Sequence, residues 1–366
     1  MIKKEKTLTL NEVIEKSATE ALRIQGNNGA MPSGHDGPYH DIETPVRNTS
    51  HWLITFLKAY EITGSLRFYK AAELAVNYLL SKEARPMSAT FWCRKNPKKN
   101  FSNGLIGQAW VIEALIIAAK AFSRDDLINL SDEVFNLHPY DMKSGGWRIV
   151  NVDGSYGPLD FTFNHQLWFV TAGSLINQIR KRHNMEWIDD FINRLKNHLV
   201  IYNSGLIKHT SYSFLAPTAK QKVRKLLGIL NNFSCRSIKI KSVGYHGFNL
   251  YGFALLKTVI PNHNFWISKK FLRTLDYAKT EDFYNDLHNN EFGVHYNPSG
   301  FEIAYAFEVF DRGSEKVRCD LVQEQLRINF KLSSNFLSRD TEDSNTMAAR
   351  LYEATRLRNY SISLSV

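Results

Sequence analysis

Cysteine is scarce: Cys93, Cys235 and Cys319 are odd in number and have no CxxC spacing. That excludes a disulfide framework or a zinc ribbon and predicts a reduced, cytoplasmic protein. No Pro/Gly/Ser-rich or low-complexity block divides the 366 residues, so one domain is expected over 1–366. The start Met1-Ile2-Lys3-Lys4-Glu5-Lys6 is basic with no apolar stretch behind it, and no signal peptide is expected. No window reads as apolar enough to span a bilayer. Helix-turn-helix, zinc-finger and RRM signatures are missing, which argues against nucleic acid as a partner. HExxH or similar spacing is missing too, so no metal and no other cofactor is expected.

What the chain has is repetition. Six times a polar or glycine-rich loop runs into an apolar helix pattern, at Arg47-Asn48-Thr49-Ser50-His51-Trp52, Ser102-Asn103-Gly104-Leu105, Phe163-Asn164-His165-Gln166, Gly244-Tyr245-His246-Gly247, Asn297-Pro298-Ser299-Gly300 and Asp343-Ser344-Asn345-Thr346. The junctions recur every ~45 to 80 residues, within or beyond the usual range of repeat periods. After each of the first five junctions a more amphipathic helix pattern follows the apolar one, and another precedes the first junction. Helices apolar on nearly all sides are buried between neighbours, whereas those with a charged face line the outside. The pattern predicts an all-α fold, an (α/α)6 toroid of about twelve helices, with minor β structure only in loops such as Gly145–Val150.

The predicted inner helices are Ser50–Ile62, Leu105–Phe122, Asn164–Ile179, Tyr245–Val259, Gly300–Phe310 and Asp343–Leu357. The first outer helix runs from Leu10 to Gln25 with Asn11 as N-cap. An irregular insertion at 203–243 interrupts the spacing. Its run Lys220-Gln221-Lys222-Val223-Arg224-Lys225-Leu226-Leu227 is basic and amphipathic, read either as a solvated face or as a peripheral docking face for membrane or glycan-assembly machinery.

Six convergent helix N-termini would build one pocket suited to an anionic or hydroxyl-rich ligand. First-turn positions supply Arg47, Asn48, His51, Trp52, Gln108, Asn164, His165, Trp168, Tyr245, His246, Asn249, Glu302, Tyr305 and Asn345, with Arg350 deeper. Trp and Tyr offer faces to pyranose rings, amides and histidines address hydroxyls, and Arg pairs with carboxylates. The net charge of +10 agrees with an anionic saccharide or glycan as partner. Plainer readings stand beside these. Asn48, Asn103, Asn164 and Asp343 are each in a position to cap a helix, and a histidine in an apolar helix is usually a satisfied core residue. The polar loop from Ser33 to Pro45 reads as a rim over the pocket mouth, with only one of Asp41 and Glu43 required to face inward.

The runs Pro45–Trp52, Asn103–Trp110, Phe163–Phe169 and Ala349–Leu357 resemble a family found with glycan-assembly genes in archaea and bacteria, labelled AglQ-type. The resemblance covers nearly the whole chain and implies the same toroid and a role in glycan processing. Gly104-Leu105-Ile106-Gly107-Gln108 is also similar to the helical domain of D-glucuronyl C5-epimerases, whose N-terminal β-domain has no counterpart here.

Glycosidic hydrolysis normally needs two carboxyl groups across the scissile bond, and Asp41, Glu43, Asp160, Glu302 and Asp343 are candidates. Epimerisation or β-elimination at C5 of a uronate needs a His or Tyr base and neutralisation of the neighbouring carboxylate. The inner-helix starts are richer in Asn, Gln, His, Tyr and Arg than in Asp and Glu. The leading reading is therefore an epimerase or isomerase acting on a hexuronate-containing saccharide. Here His165, His246 or Tyr245 exchanges the proton, and Arg47, Asn164 and Gln108 hold the carboxylate. The alternatives are a glycoside hydrolase using carboxylates such as Glu302 and Asp41, then a uronate lyase, then a non-catalytic glycan-binding protein.

Overall fold

A computed structural model describes residues 5–181, 186–210, 214 and 232–365. The run Lys220–Leu227 lies outside them. The inner ring consists of α2 (Val46–Thr63), α4 (Gly104–Phe122), α6 (Phe163–Arg180), α10 (His246–Val259), α13 (Ser299–Val309) and a last segment made of α15 (Ser344–Ala349) and a 3-10 turn (Arg350–Arg356). Each packs against the next, and the last packs back on α2, which closes the circle. Outside them lie α1 (Leu10–Ile24) and α3 (Leu66–Leu80) against α2, and α5 (Asp125–Leu137) against α4 and α6. α7 (Glu186–Asn193) packs on α6, α9 (Asn232–Gly244) on α10, and α14 (Glu315–Asn329) on α13. The chain is an (α/α)6 toroid.

Burial explains which helices are inside. On α4 Leu105, Ala109, Val111, Ile112, Ala114 and Leu115 are fully buried around the whole circumference, and each large one contributes about 1.5–3 kcal/mol relative to exposure. α14 instead carries Lys316, Asp320, Glu324 and Arg327 on its outer face. The two ends pair outside the ring: β1 (Glu5–Thr9) runs antiparallel to β2 (Ser361–Ser365), Glu5 opposite Ser365 and Thr9 opposite Ser361. The polar helix faces and terminal residues give no sign of this clasp, because two isolated five-residue strands are stable only when the tertiary fold brings them together.

Several local expectations are corrected. Thr9, not Asn11, caps α1, through a capping box with Glu12. The described residues form fifteen α-helices rather than about twelve, because outer segments break. α7 is followed by the short α8 (Leu195–His198), and the 3-10 turn Asn264–Ile267 by α11 (Lys269–Tyr277) and α12 (Glu281–His288). The closing inner segment is α-helical for only six residues before it tightens to 3-10. α4 is, against expectation, long and apolar enough by composition to cross a bilayer. It is instead largely buried in the ring, flanked by α2, α5 and α6.

Candidate functional site

The first turns of the inner helices surround a cavity of about 230 Å³, below the ~300–1,000 Å³ typical of drug-sized ligands. All six ring elements reach it: Arg47 from α2; Asn103, Ile106 and Trp110 from α4 and its cap; Asn164 and His165 from α6; Tyr245 and Phe248 from α10 and its cap; Asn297 just before α13; and Arg350 at the last segment. Positions 103, 106 and 110 are one stripe of a helix, as are 245 and 248, so each helix presents a single face to the ring axis.

His165 is anchored from behind. Its Nδ1 lies 2.8 Å from Asp160 Oδ2, which leaves Nε2 as the free ring nitrogen. Asp160 also accepts the N–H groups of Leu105 at 3.3 Å and Thr162 at 3.0 Å. Burial works against its ionisation, but the His165 ring and these donors outweigh it and hold the carboxyl below its usual range. Gly104 sits in the left-handed region at φ 59°, and a Cβ there would stand 2.7 Å from Asp160 Oδ2 and 3.3 Å from His165 Nδ1. Glycine at this position keeps the pair intact. Gln166 fastens the same segment, donating to the carbonyl oxygens of Asp160 and Trp147 at 2.8 Å each. His209, whose carbonyl oxygen accepts the Phe163 N–H at the start of α6, lies tilted against Tyr245 with ring centroids 4.7 Å apart. Burial, His165 and Lys241 push the His209 pKa down to about 3, so its ring is neutral at physiological pH.

The Ser33–Pro45 loop does form a rim. Asp36 and Tyr39 line the cavity, and Asp36 is held at φ 60°, a strained conformation for a non-glycine residue. Its Oδ1 accepts from Arg47 Nη1 at 2.7 Å and from the Tyr296 hydroxyl at 2.6 Å. Asp41 and Glu43 are both buried behind the rim and neither lines the cavity. Ile42 is 62% exposed, because residues two apart on extended chain share a face. Asp41 pairs with Lys99 at 2.9 Å and Arg94 at 3.4 Å, and Glu43 with Arg47 at 3.1 Å.

Burial, only partly offset by Arg47 and reinforced by Asp36, raises the Glu43 pKa to about 8. A carboxyl whose folded pKa exceeds its unfolded value (~4.3) stabilises the protein below that unfolded value and loses the contribution as pH rises through the folded pKa. Above pH 7 the buried histidines, with depressed pKa values, are neutral in both states and add no slope. Thermal melts at pH 7 and pH 9 should therefore show a loss of Tm that is smaller in Glu43→Gln. An identical loss in both proteins would mean that Glu43 is ionised throughout.

Arg350 is the hub on the opposite side. Its Nη2 donates to Glu302 Oε1 and Glu353 Oε1, both at 2.7 Å, and Nη1 donates to Asn297 Oδ1 and to Tyr296 O. Burial and the two carboxylates' mutual repulsion hold Glu302 well above the usual range, and Glu353 is also raised. Its Cβ-free neighbour Gly247 makes the space, since a Cβ there would stand 2.7 Å from Glu302 Oε2.

The other sequence candidates do not reach the cavity. His246 is fully buried, receiving the Ile207 N–H at Nδ1 (3.3 Å) and facing Thr274 O from Nε2 (3.0 Å). Burial pushes its pKa down to about 4. It is a satisfied core histidine. His51 is buried between Tyr352, stacked at 4.1 Å, and Trp110, and burial with the charges of Arg47 and Arg350 keeps it neutral. Gln108 clamps the preceding loop through Phe91 N, Phe91 O and Ser102 O. Asn48 donates to Pro32 O and Asn249 to Tyr245 O. Trp52 packs on Phe56 and Phe336, Trp168 stacks on Phe248, and Tyr305 lies against Tyr251. Exposed Asn345 ties the rim through Ser33 O. Asp41 and Glu302 stand behind cavity cations and do not line it themselves. His51, His165 and His246 thus occupy three different environments and make no common ligand set.

Sequence reasoning missed Arg94, Lys99, His209 and Lys241, all of which line the cavity. Arg94, Lys99 and His209 come from loops, where no helical period marks a direction, and Lys241 comes from α9, inside the segment expected to be irregular. Asp36 and Tyr39 lay within the Ser33–Pro45 rim and Asn297 opens the fifth junction, both visible in the sequence, with Tyr296 directly before it.

Comparison with known proteins adds the lineage. No protein-family model matches the chain. In fold it is similar to a cellobiose 2-epimerase from Bacillus thermoamylovorans (TM-score 0.65, 11% identity, 94% of this chain and 98% of that one). It is likewise similar to a D-mannose isomerase (0.62, 14%, 95% and 97%) and an unsaturated glucuronyl hydrolase specific for heparin (0.59, 12%, 95% of each). In sequence it is 42% identical to archaeal glycosylation protein Q of Haloferax volcanii, over 97% of this chain and 99% of that protein. An identity of that size along essentially both full lengths, on the same toroid, makes this chain a member of the archaeal glycosylation protein Q family.

Proposed function

We propose that this chain is an epimerase or isomerase that exchanges the C5 proton of a hexuronate unit in a saccharide of glycan assembly, working in the cytoplasm with peripheral contact to membrane or assembly machinery. The observation that supports this is the His165–Asp160 pair at the cavity wall, with Nδ1 engaged at 2.8 Å and Nε2 left to act as base. Asp160 fixes the tautomer and stabilises the imidazolium once the proton is taken. Arg47, 4.4 Å over the Trp110 ring, and the Asn164 amide N–H groups supply donors for a uronate carboxylate, while the buried, unpartnered Oδ1 of Asn164 is an acceptor suited to a sugar hydroxyl. Tyr245, hydrogen-bonded to the Tyr39 hydroxyl at 3.1 Å and kept a neutral phenol by burial, can return a proton on the other face. Trp110 and Phe248 give apolar faces for the sugar ring.

Hydrolysis is less well supported. Asp36 is the one carboxylate among the described cavity-lining residues, and it is committed to Arg47 and Tyr296. A hydrolase would want two such groups across the bond.

Glucuronate-containing oligosaccharides incubated with the protein in D2O should gain deuterium at C5 by NMR, with chain length unchanged. Deuterium at C2 would keep the proton-transfer class but move the reacting carbon, in line with the epimerase and isomerase among the fold relatives. A 4,5-unsaturated product absorbing in the ultraviolet would indicate a lyase. New reducing ends without exchange would replace the proposal by a hydrolase.

A further inference from the structure

The cavity's charges are unevenly compensated. Arg47 faces Asp36 and Glu43, and Arg350 faces Glu302 and Glu353, so each of these two cavity arginines already has two carboxyl partners. Of the remaining three cations, Arg94, Lys99 and Lys241, only the first two have a direct carboxylate partner among the described residues, and Glu291 and Asp36 act on Lys241 from further away. Asp41 is shared by Arg94 and Lys99, and Lys241 has no carboxylate within 4.0 Å among the described residues.

These cations lie together on the solvent side. Lys99 and Lys241 flank one ring, with Nζ atoms 5.7 and 4.7 Å from the Tyr39 centroid, and Lys99 is exposed whereas Lys241 is half-buried. Partial burial and then the charge of Lys99 disfavour the ammonium form of Lys241. Two lysines held beside each other against an aromatic face repel, and a bound anion would relieve that repulsion. One singly charged carboxylate would not balance the surplus of two positive charges left by Asp41, whereas a group carrying about two negative charges would.

We infer that the wall formed by Arg94, Lys99 and Lys241 is a phosphoryl-binding subsite, so that the saccharide turned over beside His165 carries a phosphoester or diphosphate toward the cavity mouth. The inference rests on the saccharide reading above and makes the substrate a glycosyl phosphate or diphosphate, whether nucleotide-linked or lipid-linked. The uronate at Arg47 and Asn164 and the phosphoryl at the lysines are then two separate anion contacts.

Calorimetric titration of the full-length protein with inorganic pyrophosphate at low ionic strength tests this without turnover. Binding is expected to weaken at least tenfold in the Lys99→Gln/Lys241→Gln double variant and to weaken with added salt. UDP binding more tightly than pyrophosphate would support the subsite with a nucleotide source, and farnesyl diphosphate doing so would support it with a lipid source. No pyrophosphate binding to the wild type, equal binding to the double variant, or preference for a diglucuronate over pyrophosphate would overturn it. Pyrophosphate binding without hydrogen exchange in any uronate would leave the subsite standing and remove the epimerase instead, so the two failures are separable.

Discussion

Replacing His165 by alanine should abolish C5 deuterium exchange, by ~10²-fold or more as for loss of a general base, while Tm stays close to that of the wild type. The two halves of this expectation follow from different parts of the geometry. The His165 side chain is 25% exposed at the cavity wall, so its loss opens no sealed void. Asp160 keeps the N–H groups of Leu105 and Thr162 when the imidazole is gone, so no unpaired buried charge is created. Asp160→Asn should also lower the rate, because an amide no longer accepts from Nδ1 in the same way and the free tautomer of His165 is lost. A large fall in Tm for His165→Ala would assign the residue to packing. Activity surviving it would move the base to His209 or Tyr245.

Arg350→Met should behave in the opposite manner and destabilise the fold by about 3–5 kcal/mol, the range for removing one partner of a buried ion pair. Arg350 is 2% exposed, and Glu302 and Glu353 are completely buried around it. The Oε2 atoms of both glutamates already lack partners, so without the guanidinium two carboxyl groups remain in the ring interior with little to solvate them. Adding Glu302→Gln to the Arg350→Met variant should recover part of the loss, and a chemical-denaturation double-mutant cycle measures the coupling. If Arg350→Met melted like the wild type yet bound no saccharide, Arg350 would be a ligand group and the glutamates would hold their protons without it.

The contrast between His165 and His246 shows why a list of first-turn residues is not yet a site. Both follow a polar junction into an inner helix. His165 is the third residue of α6 and looks into the cavity, while His246 is the first residue of α10 and points outward to Thr274 on α11. Side chains advance about 100° per residue around a helix, so a shift of two positions turns one histidine from solvent to core. The same ambiguity affected the amides. Gln108 and Gln166 stand one turn inside their helices, where they secure the loops that enter the ring. A sequence shows an amide there but not which backbone groups it must satisfy.

By itself the amino-acid sequence determined the architecture: alternating all-round apolar and one-sided helices can bury their surfaces only as two concentric layers, and glycine or polar junctions mark where each inner helix begins. It also determined that one end of the ring is polar, and it marked Arg47, Asn164, His165, Tyr245 and Arg350 among the groups gathered there. Only the tertiary structure decided which polar residues face the axis, since that depends on helix phase. It also paired Asp160 with His165, compensated Arg47 and Arg350 with two carboxyls each, and brought Arg94, Lys99 and His209 from loops and Lys241 from α9 to the cavity. Some of these partners are close along the chain, as Asp160 is to His165 and Glu353 to Arg350, and others are distant, as Glu302 is to Arg350; in both cases packing sets the direction of the side chain, for which local pattern carries no signal.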